Sequence, residues 1–298
     1  MSLGLLCPGQ GDQSPAMFAL LDRNEPIWAV FARETGADAF ALSAEAMQVN
    51  LVAQPLVCAF QLAVWSHLAP LLPAPIALAA YSVGELAAYG CAGALAPEAV
   101  IALARRRAEL MDEAFPGGGA MVALRGLNRA AVAALCRETG AEIAIINDED
   151  RIVCGGPPAA MERLTALAES RGAKPTPLAI RIASHTSLMR RAVAPFLAAL
   201  QQAEWRRPQA PVLEGLSGAP IFAPASAQAA LSKQLAQTID WAACLEGLRE
   251  RGCTVLLELG PGAGLARMAR DRFPDLPARS VAEFHSLAGA AAWVAAAS

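Results

Sequence analysis

A long stretch of the sequence, from Ala46 to Gly84, contains no Asp, Glu, Lys or Arg. A membrane-spanning helix needs about 20 continuous apolar residues. Here polar residues and prolines interrupt the stretch, at Gln54, Pro55, Gln61, His67, Pro70, Pro73 and Pro75. The pattern therefore predicts a buried helix over 55–67, a proline-rich turn and a buried strand over 76–80, and it argues against a membrane partner.

The composition of the whole chain agrees with a large buried core. Of its 298 residues, 55% are hydrophobic and only 17% are charged, so the chain can bury enough apolar surface to overcome the entropy of folding, which excludes disorder. The net charge of -3 leaves no strong positive field for phosphates, which argues against nucleic acid as a partner. The length suits one large domain or two smaller ones.

The cysteines and the first residues bear on the cellular compartment. The chain has seven cysteines, and no two of them form a C-x-x-C pair. We therefore expect neither a metal site nor a disulfide framework, and we expect a cytoplasmic protein, because a reducing compartment suits scattered thiols. The segment before Pro8 has no basic residue ahead of its apolar run, so we interpret it as a first strand rather than a signal peptide.

The order of strands and helices predicts an α/β fold. Short apolar runs at 3–7 and 76–80 are typical of buried parallel strands. From 120 onward the pattern becomes strand, helix, two strands around a polar turn, helix and a strand over 177–182, and this β-α-β-β-α-β order is that of a ferredoxin-like unit. We therefore predict a hydrolase-like parallel-sheet body with an inserted ferredoxin-like α+β subdomain. The predicted bounds are 1–119 and 183–298 for the body and 120–182 for the insertion.

Ser82 lies between the predicted strand at 76–80 and a predicted helix start, in the segment Ala80-Tyr81-Ser82-Val83-Gly84. A nucleophile elbow has the pattern G-x-S-x-G, because strand and helix approach closely at the turn. Ala80 replaces the first glycine, and alanine is still small. The alternative is a capping box in which Ser82 only caps a helix and Glu85 reaches back to it.

Arg107 lies on the apolar side of the predicted helix over 97–114. At about 100° per residue it projects close to Val100, inside the stripe formed with Leu103 and Leu110. A buried guanidinium needs an anionic or hydrogen-bonding partner, which an internal acid or the carboxylate of a ligand could supply. The alternative is an arginine that extends from the edge of the stripe to solvent.

Two other segments could contribute to a site. His185 follows the end of a predicted strand, where open α/β sheets place their ligands. His285 is its rival, and His67 is expected to be structural. The loop at 9–13, Gly-Gln-Gly-Asp-Gln, is a weak nucleotide motif but a plausible tight turn that presents backbone N–H groups.

These segments and others occur in the order found in one enzyme family. The loop at 9–13 is similar to G-Q-G-S-Q, and the segment at 81–85 to H-S-L-G-E. Further matches are R-x-x-L-M at 107–111, S-H-x-x-L-M at 184–189, L-x-x-Q-L…W at 231–241, E-x-G-P-G at 258–262, and an early Gln54-Pro55. Together they make the chain resemble the malonyl-CoA:acyl carrier protein transacylase family over nearly its whole length.

The resemblance implies a function and a role for each residue. Malonyl-CoA would acylate Ser82, with His185 as general base, and an acyl carrier protein would then accept the malonyl group. The backbone N–H groups of Gln10 and Val83 would form the oxyanion hole, and Arg107 would bind the malonyl carboxylate. The backbone carbonyl of Asp240 would orient the imidazole of His185. No cofactor is expected.

Two departures from the family pattern refine the expectation. Ala80-Tyr81 stands where Gly-His is common, and this form most resembles the malonyl transferase associated with bacterial malonate decarboxylase. In that system the carrier subunit bears a phosphoribosyl-dephospho-CoA group. The small Ser184 before His185 leaves the choice between malonyl and methylmalonyl open.

Within the family, a transacylase of fatty-acid synthesis is the alternative, and two functions outside the family also remain open on the sequence alone. An α/β-hydrolase would use Ser82, an acid at Asp240 or Glu258, and His285, in that chain order. An inactive acyltransferase fold could instead serve as an interaction subunit. If the chain is a transacylase, basic clusters should dock the carrier protein, and we expect them at Arg171, Lys174, Arg267, Arg270 and Arg272.

Overall fold

Two sheets form the framework of residues 2–297, the part of the chain that the computed structural model describes. Their strands are β1 (Leu3–Cys7), β2 (Ala77–Ala80), β3 (Ala120–Arg125), β4 (Glu142–Asp148), β5 (Arg151–Gly156), β6 (Lys174–Pro177), β7 (Val212–Leu213), β8 (Pro220–Ile221), β9 (Ile239–Asp240), β10 (Val255–Glu258) and β11 (Ala278–Ser280). The α-helices are α1 (Pro26–Thr35), α2 (Asn50–Leu68), α3 (Gly84–Cys91), α4 (Pro97–Ala114), α5 (Arg129–Thr139), α6 (Pro158–Ser170), α7 (Arg190–Gln202), α8 (Pro224–Lys233), α9 (Trp241–Glu250), α10 (Gly264–Arg272) and α11 (Leu287–Ala296).

The first sheet has the strand order β11-β10-β1-β2-β7-β8 and is parallel except for the pair β7–β8. All residues of β1, β2 and β10 are buried, as expected for parallel strands covered on both faces. Cys7 pairs with Ala80 in the register of β1 and β2. The loop after β1 and the turn after β2 therefore leave the sheet at the same edge.

The segment without charged residues forms the helix, turn and strand that its sequence predicts. The helix α2 begins at Asn50, earlier than predicted, so Pro55 lies within it. Proline has no N–H, and the carbonyl of Leu51 one turn earlier accepts a hydrogen bond from Arg105 instead, at 3.1 Å. By length and composition α2 could cross a membrane, but 72% of its most apolar window is buried within the molecule.

The second sheet has the order β6-β3-β5-β4-β9, and its first four strands follow the predicted β-α-β-β-α-β order along the chain. These four pair antiparallel, whereas β9, from the later part of the chain, joins parallel to β4. The predicted last strand over 177–182 is wrong, since β6 is Lys174–Pro177. At the edge of the sheet Pro175 and Pro177 need not donate hydrogen bonds to a neighbouring strand. The apolar residues that follow, Leu178 and Ile180, line a cavity.

The chain enters and leaves the second sheet at neighbouring points. The N–H of Gly119 donates to the carbonyl of Arg181 at 2.9 Å. A Cβ atom on Gly119 would lie 2.3 Å from the backbone nitrogen of Ala183. Only glycine therefore allows the two connections to lie this close.

Candidate active site

The turn after β2 is a tight elbow that projects Ser82. Ser82 has a φ of 56°, in the left-handed region that residues with side chains seldom adopt. A Cβ atom on Gly84 would lie 2.3 Å from the carbonyl oxygen of Cys7, so the start of α3 packs directly on the end of β1. The capping-box alternative is wrong, because Val83 is the N-cap residue and no side chain caps this helix.

The close packing at Gly84 gives a stability prediction. We expect Gly84→Ala to destabilise the fold by about 3 kcal/mol or more, because the added methyl group would overlap backbone atoms that cannot move independently. Gly264→Ala is the matched control, since its Cβ would meet only Asp12 at an ordinary 3.6 Å. Urea unfolding of both variants measures the effect, and equal midpoints would contradict the tight elbow.

Ser82 and His185 are brought together over a long sequence separation. The Ser82 hydroxyl lies 2.8 Å from His185 Nε2, and His185 Nδ1 lies 2.5 Å from the carbonyl oxygen of Gln234. A carbonyl can only accept, so Nδ1 carries the proton and Nε2 is free to accept from the serine. Burial, together with the charge of Arg107, lowers the pKa of His185 to about 3, which keeps the imidazole neutral.

The backbone carbonyl that orients His185 is that of Gln234, and the assignment to Asp240 is wrong. Gln234 is the C-cap residue of α8, and the last carbonyls of a helix have no partner within it. Asp240 instead caps α9 through a hydrogen bond from the N–H of Ala243, at 3.0 Å. Its own N–H donates to the carbonyl of Gly215.

Arg107 faces the interior, as its place on the apolar stripe predicts, and only 2% of its surface is exposed. It donates hydrogen bonds to Gln54 Oε1 at 2.7 Å, to Ser82 Oγ at 3.2 Å and to Gln234 Oε1 at 3.4 Å. All three acceptors are neutral. Burial lowers the pKa of Arg107 to about 10, so the guanidinium is still charged at neutral pH. Among residues 2–297 no anion is bonded to it directly.

Two backbone N–H groups next to Ser82 are available to a ligand. The N–H groups of Gln10 and Val83 have no hydrogen-bond acceptor among residues 2–297. The loop of Gln10 lies against the elbow, since a Cβ atom on Gly9 would be 2.8 Å from the carbonyl of Tyr81. Unpaired N–H groups beside a nucleophile are what an oxyanion requires.

Ser82, Arg107 and His185 line one cavity of about 260 Å³. Residues of the second sheet, of α2 and of the connecting segments complete it: Gln10, Gln48, Gln54, Tyr81, Met121, Ile145, Leu178, Ile180 and Ser184 are among them. The cavity therefore places a neutral base, a hydroxyl and a buried cation around one small space. Within the described residues, no group of three or more His, Cys, Asp or Glu could hold a metal ion.

The residues of the hydrolase alternative are not brought together. His285 is exposed and lines a different cavity with His67 and Asp22. Glu258 is buried elsewhere and accepts from the N–H of Ala266 at 2.8 Å. His185, and not His285, contacts Ser82.

Comparison with known proteins decides the family. The family model described as "Acyl transferase domain" matches residues 5–289. The chain belongs to the acyl transferase domain family. The malonyl CoA-acyl carrier protein transacylase of Haemophilus influenzae is 32% identical to it over 295 residues, which cover 93% of this chain and 94% of that protein. The same enzyme of Mycobacterium tuberculosis is also 32% identical, with 94% and 96% covered.

Solved structures of similar proteins share the fold of this acyl transferase domain. A malonyl-CoA:acyl carrier protein transacylase from Xanthomonas oryzae pv. oryzae has a TM-score of 0.92 and 33% identity, covering 98% of this chain and 99% of that one. A malonyl-transacylase in complex with a type II PKS acyl-carrier protein has a TM-score of 0.91 and 29% identity, covering 98% and 99%.

Three residues of the acyl transferase site were not assigned roles from the sequence. Gln54 and Gln234 hold Arg107, and Glu85 accepts a hydrogen bond from the side chain of Gln234 at 2.5 Å. All three belong to motifs quoted above, but only their burial and contacts in the folded chain reveal what they do. A signal was present in the sequence, since polar residues within apolar helical patterns need partners.

The predicted docking cations of this acyl transferase are largely paired with acids. Three of the five form ion pairs: Arg171 with Glu138 at 2.7 Å, Arg270 with Glu283 at 3.3 Å, and Arg272 with Glu246 at 2.6 Å. Lys174 and Arg267 form no ion pair within residues 2–297. Their role in docking stays a prediction.

Proposed function

We propose that the protein transfers a malonyl group from malonyl-CoA to the prosthetic-group thiol of an acyl carrier protein. One observation carries the substrate class: Arg107 is buried and charged, has no directly bonded anion among residues 2–297, and lies 3.2 Å from the Ser82 hydroxyl. An acyl group with a free carboxylate would supply that anion in a two-pronged contact. The malonyl-CoA transacylases that the chain resembles support the same choice.

The reaction proceeds in two transfers through an ester on Ser82. His185 takes the serine proton while the hydroxyl oxygen attacks the thioester carbonyl, and the Gln10 and Val83 N–H groups stabilise the oxyanion. When the tetrahedral intermediate collapses, the C–S bond breaks and the proton passes from His185 to the coenzyme A sulfur. The carrier thiol then gives its proton to His185 and attacks the ester carbonyl. When this second intermediate collapses, the C–O bond to Ser82 breaks and His185 returns the proton to the serine oxygen.

We infer further that the acceptor is the carrier subunit of a malonate decarboxylase. This finer proposal rests on Ala80-Tyr81 before the nucleophile. The Tyr81 hydroxyl donates to Asn147 Oδ1 at 3.0 Å, and its ring packs edge-on against Trp241. Tyr81 therefore ties the elbow to β4 of the second sheet, at the wall of the cavity through which a prosthetic group must reach Ser82.

The same proposal extends to organisation and compartment. We infer that residues 120–182 are a ferredoxin-like subdomain inserted into a body of residues 1–119 and 183–298, supported by the antiparallel order β6-β3-β5-β4 and by the contact of Gly119 with Ala183. β9 then belongs to the body and extends the sheet of the subdomain. A cytoplasmic enzyme that needs no cofactor is part of this proposal.

Mass spectrometry tests the function in two stages. With malonyl-CoA alone, we expect the intact mass to rise by one malonyl group, and peptide mapping should place it on Ser82. The labelled protein is then mixed with a phosphopantetheine carrier or with a carrier bearing phosphoribosyl-dephospho-CoA. We expect faster loss of the label to the second carrier.

Each stage has its own contradicting result. A label on another residue, or none in the wild type, would exclude the serine ester. Equal or faster transfer to the phosphopantetheine carrier would contradict a role in malonate decarboxylation and favour one in fatty-acid synthesis. Methylmalonyl-CoA in the same assay measures whether the space beside Ser184 admits the extra methyl group.

A further inference from the structure

Glu85 is a fully buried acid in the first turn of α3, one helical turn beyond Ser82. Its Oε2 accepts hydrogen bonds from the N–H of Gly215 at 3.2 Å and from Gln234 Nε2 at 2.5 Å. Its Oε1 is buried and has no hydrogen-bond partner among the described residues. A buried carboxyl with one oxygen unpartnered is costly when ionised, so it needs a nearby positive charge.

Gln234 connects this acid to the site. Its side-chain N–H donates to Glu85, its side-chain oxygen accepts from Arg107, and its backbone carbonyl accepts from His185. One residue therefore links the buried acid, the buried cation and the base. The cluster holds one cation and one acid, and they compensate each other only through the amide of Gln234.

Among the titratable groups around it, Glu85 is the acid whose protonation depends on the charge of Arg107. Burial raises the pKa of Glu85 to about 8, the nearby Glu214 adds to this rise, and the charge of Arg107 opposes it. Burial also raises the pKa values of Cys244 and Tyr89 well above their usual range, so both are neutral.

We propose that ionised Glu85 is the internal counter-ion of Arg107, and that in this form it takes up one proton from solvent when a substrate carboxylate pairs with Arg107. The proposal rests on the proposed function. Two anions around one buried cation repel each other, and neutralising Glu85 relieves the repulsion. No bond other than the new O–H forms or breaks in this step. The acylation moves the serine proton to the coenzyme A sulfur, and any proton that this thiol then releases to solvent is the same for malonyl-CoA and acetyl-CoA for each serine acylated.

The direction of the pH effect follows from this coupling. Above about pH 8 the free enzyme carries an ionised Glu85, which must gain a proton before the carboxylate is bound. The preference for malonyl-CoA over acetyl-CoA should then fall about tenfold per pH unit as pH rises further. Acetyl-CoA carries no second carboxylate, so its own transfer serves as the baseline.

The experiment measures proton uptake with an indicator dye at about pH 9, in weak buffer, when the enzyme is mixed with malonyl-CoA or acetyl-CoA. The wild type should take up close to one proton more with malonyl-CoA. Glu85→Gln should abolish the difference, because an amide takes up no proton. The substitution fits the site, since the NH2 group takes the position of the unpartnered oxygen while the other oxygen still accepts from Gly215. Glu214→Gln is the matched control and should retain the uptake.

The contradicting results are distinct from those of the proposed function. If Ser82 carries a malonyl group but malonyl-CoA and acetyl-CoA give equal uptake, the counter-ion role is wrong and malonyl transfer stands. If Glu85→Gln keeps the wild-type uptake, the proton goes elsewhere and the proposal is also wrong. Should the variant fail to fold, a malonyl-to-acetyl ratio in the wild type that stays constant above about pH 8 overturns it by itself.

Discussion

Arg107→Ala should lower kcat/KM for malonyl-CoA by about two to four orders of magnitude and leave acetyl transfer unchanged or faster. The guanidinium is buried, and two charge-assisted hydrogen bonds to a carboxylate are worth about 1.5–3 kcal/mol each. A neutral acyl chain gains nothing from Arg107 and no longer faces an unpaired buried cation once the arginine is removed.

Arg107→Lys is the variant that separates charge from geometry. It keeps the positive charge but cannot donate in parallel to both carboxylate oxygens, so it should recover only part of the malonyl activity. The measurement is kcat/KM for malonyl-CoA and acetyl-CoA in both variants. An unchanged malonyl-to-acetyl ratio in Arg107→Ala would make Arg107 a structural residue and remove the basis for the substrate class.

His185→Ala should lower the acylation rate of Ser82 by about two to four orders of magnitude, as expected for loss of a general base. His285→Ala is the matched control and should be close to wild type, because His285 is exposed and lines another cavity. The reverse pattern, a silent His185→Ala and an inactive His285→Ala, would favour the hydrolase alternative.

The wild-type pH profile tests the same histidine independently. The pKa of His185 is lowered to about 3, so the imidazole gains a proton, and loses its ability to accept from Ser82, only near that pH. Acetyl transfer should therefore stay constant as pH falls from about 7 to about 5, a range in which an ordinary histidine would protonate. A rate that falls with an apparent pKa near 6.5 would contradict a buried neutral base.

The sequence predicts the parts of the site that follow from local pattern. The strand over 177–182 that pointed to His185 is irregular chain beyond Pro177. Ser82 stands just beyond the end of β2, and Arg107 is displaced onto an apolar stripe of α4, so both are visible from their neighbours alone. The carbonyl that accepts from His185 cannot be identified from its neighbours in the sequence. Several carbonyls follow α8, and only the path of the chain between Gln234 and Asp240 decides which one faces the imidazole.

The sequence also could not show which of the predicted docking cations form ion pairs with acids of the same chain. Arg272 forms ion pairs with Glu246 and with Asp148, a residue 124 positions earlier in the chain. Such pairs depend on how the second sheet lies against the rest of the molecule. For the same reason the strand predicted over 177–182 is wrong, because the pairing of β3 with Lys174–Pro177 depends on tertiary contacts that local hydrophobicity does not show.

The place of β1 in the first sheet also governs how the protein can be made. β1 is synthesised first, yet it lies between β2 and β10, and Leu3 pairs with Val255. During translation one edge of this apolar strand therefore waits for its partner until most of the chain has left the ribosome, while β3 to β6 can assemble among themselves. β10 and β11 join this sheet last, so a ribosome that stalls within the first 250 or so residues releases a chain in which one edge of β1, the strand that leads into the glycine loop, is unpaired.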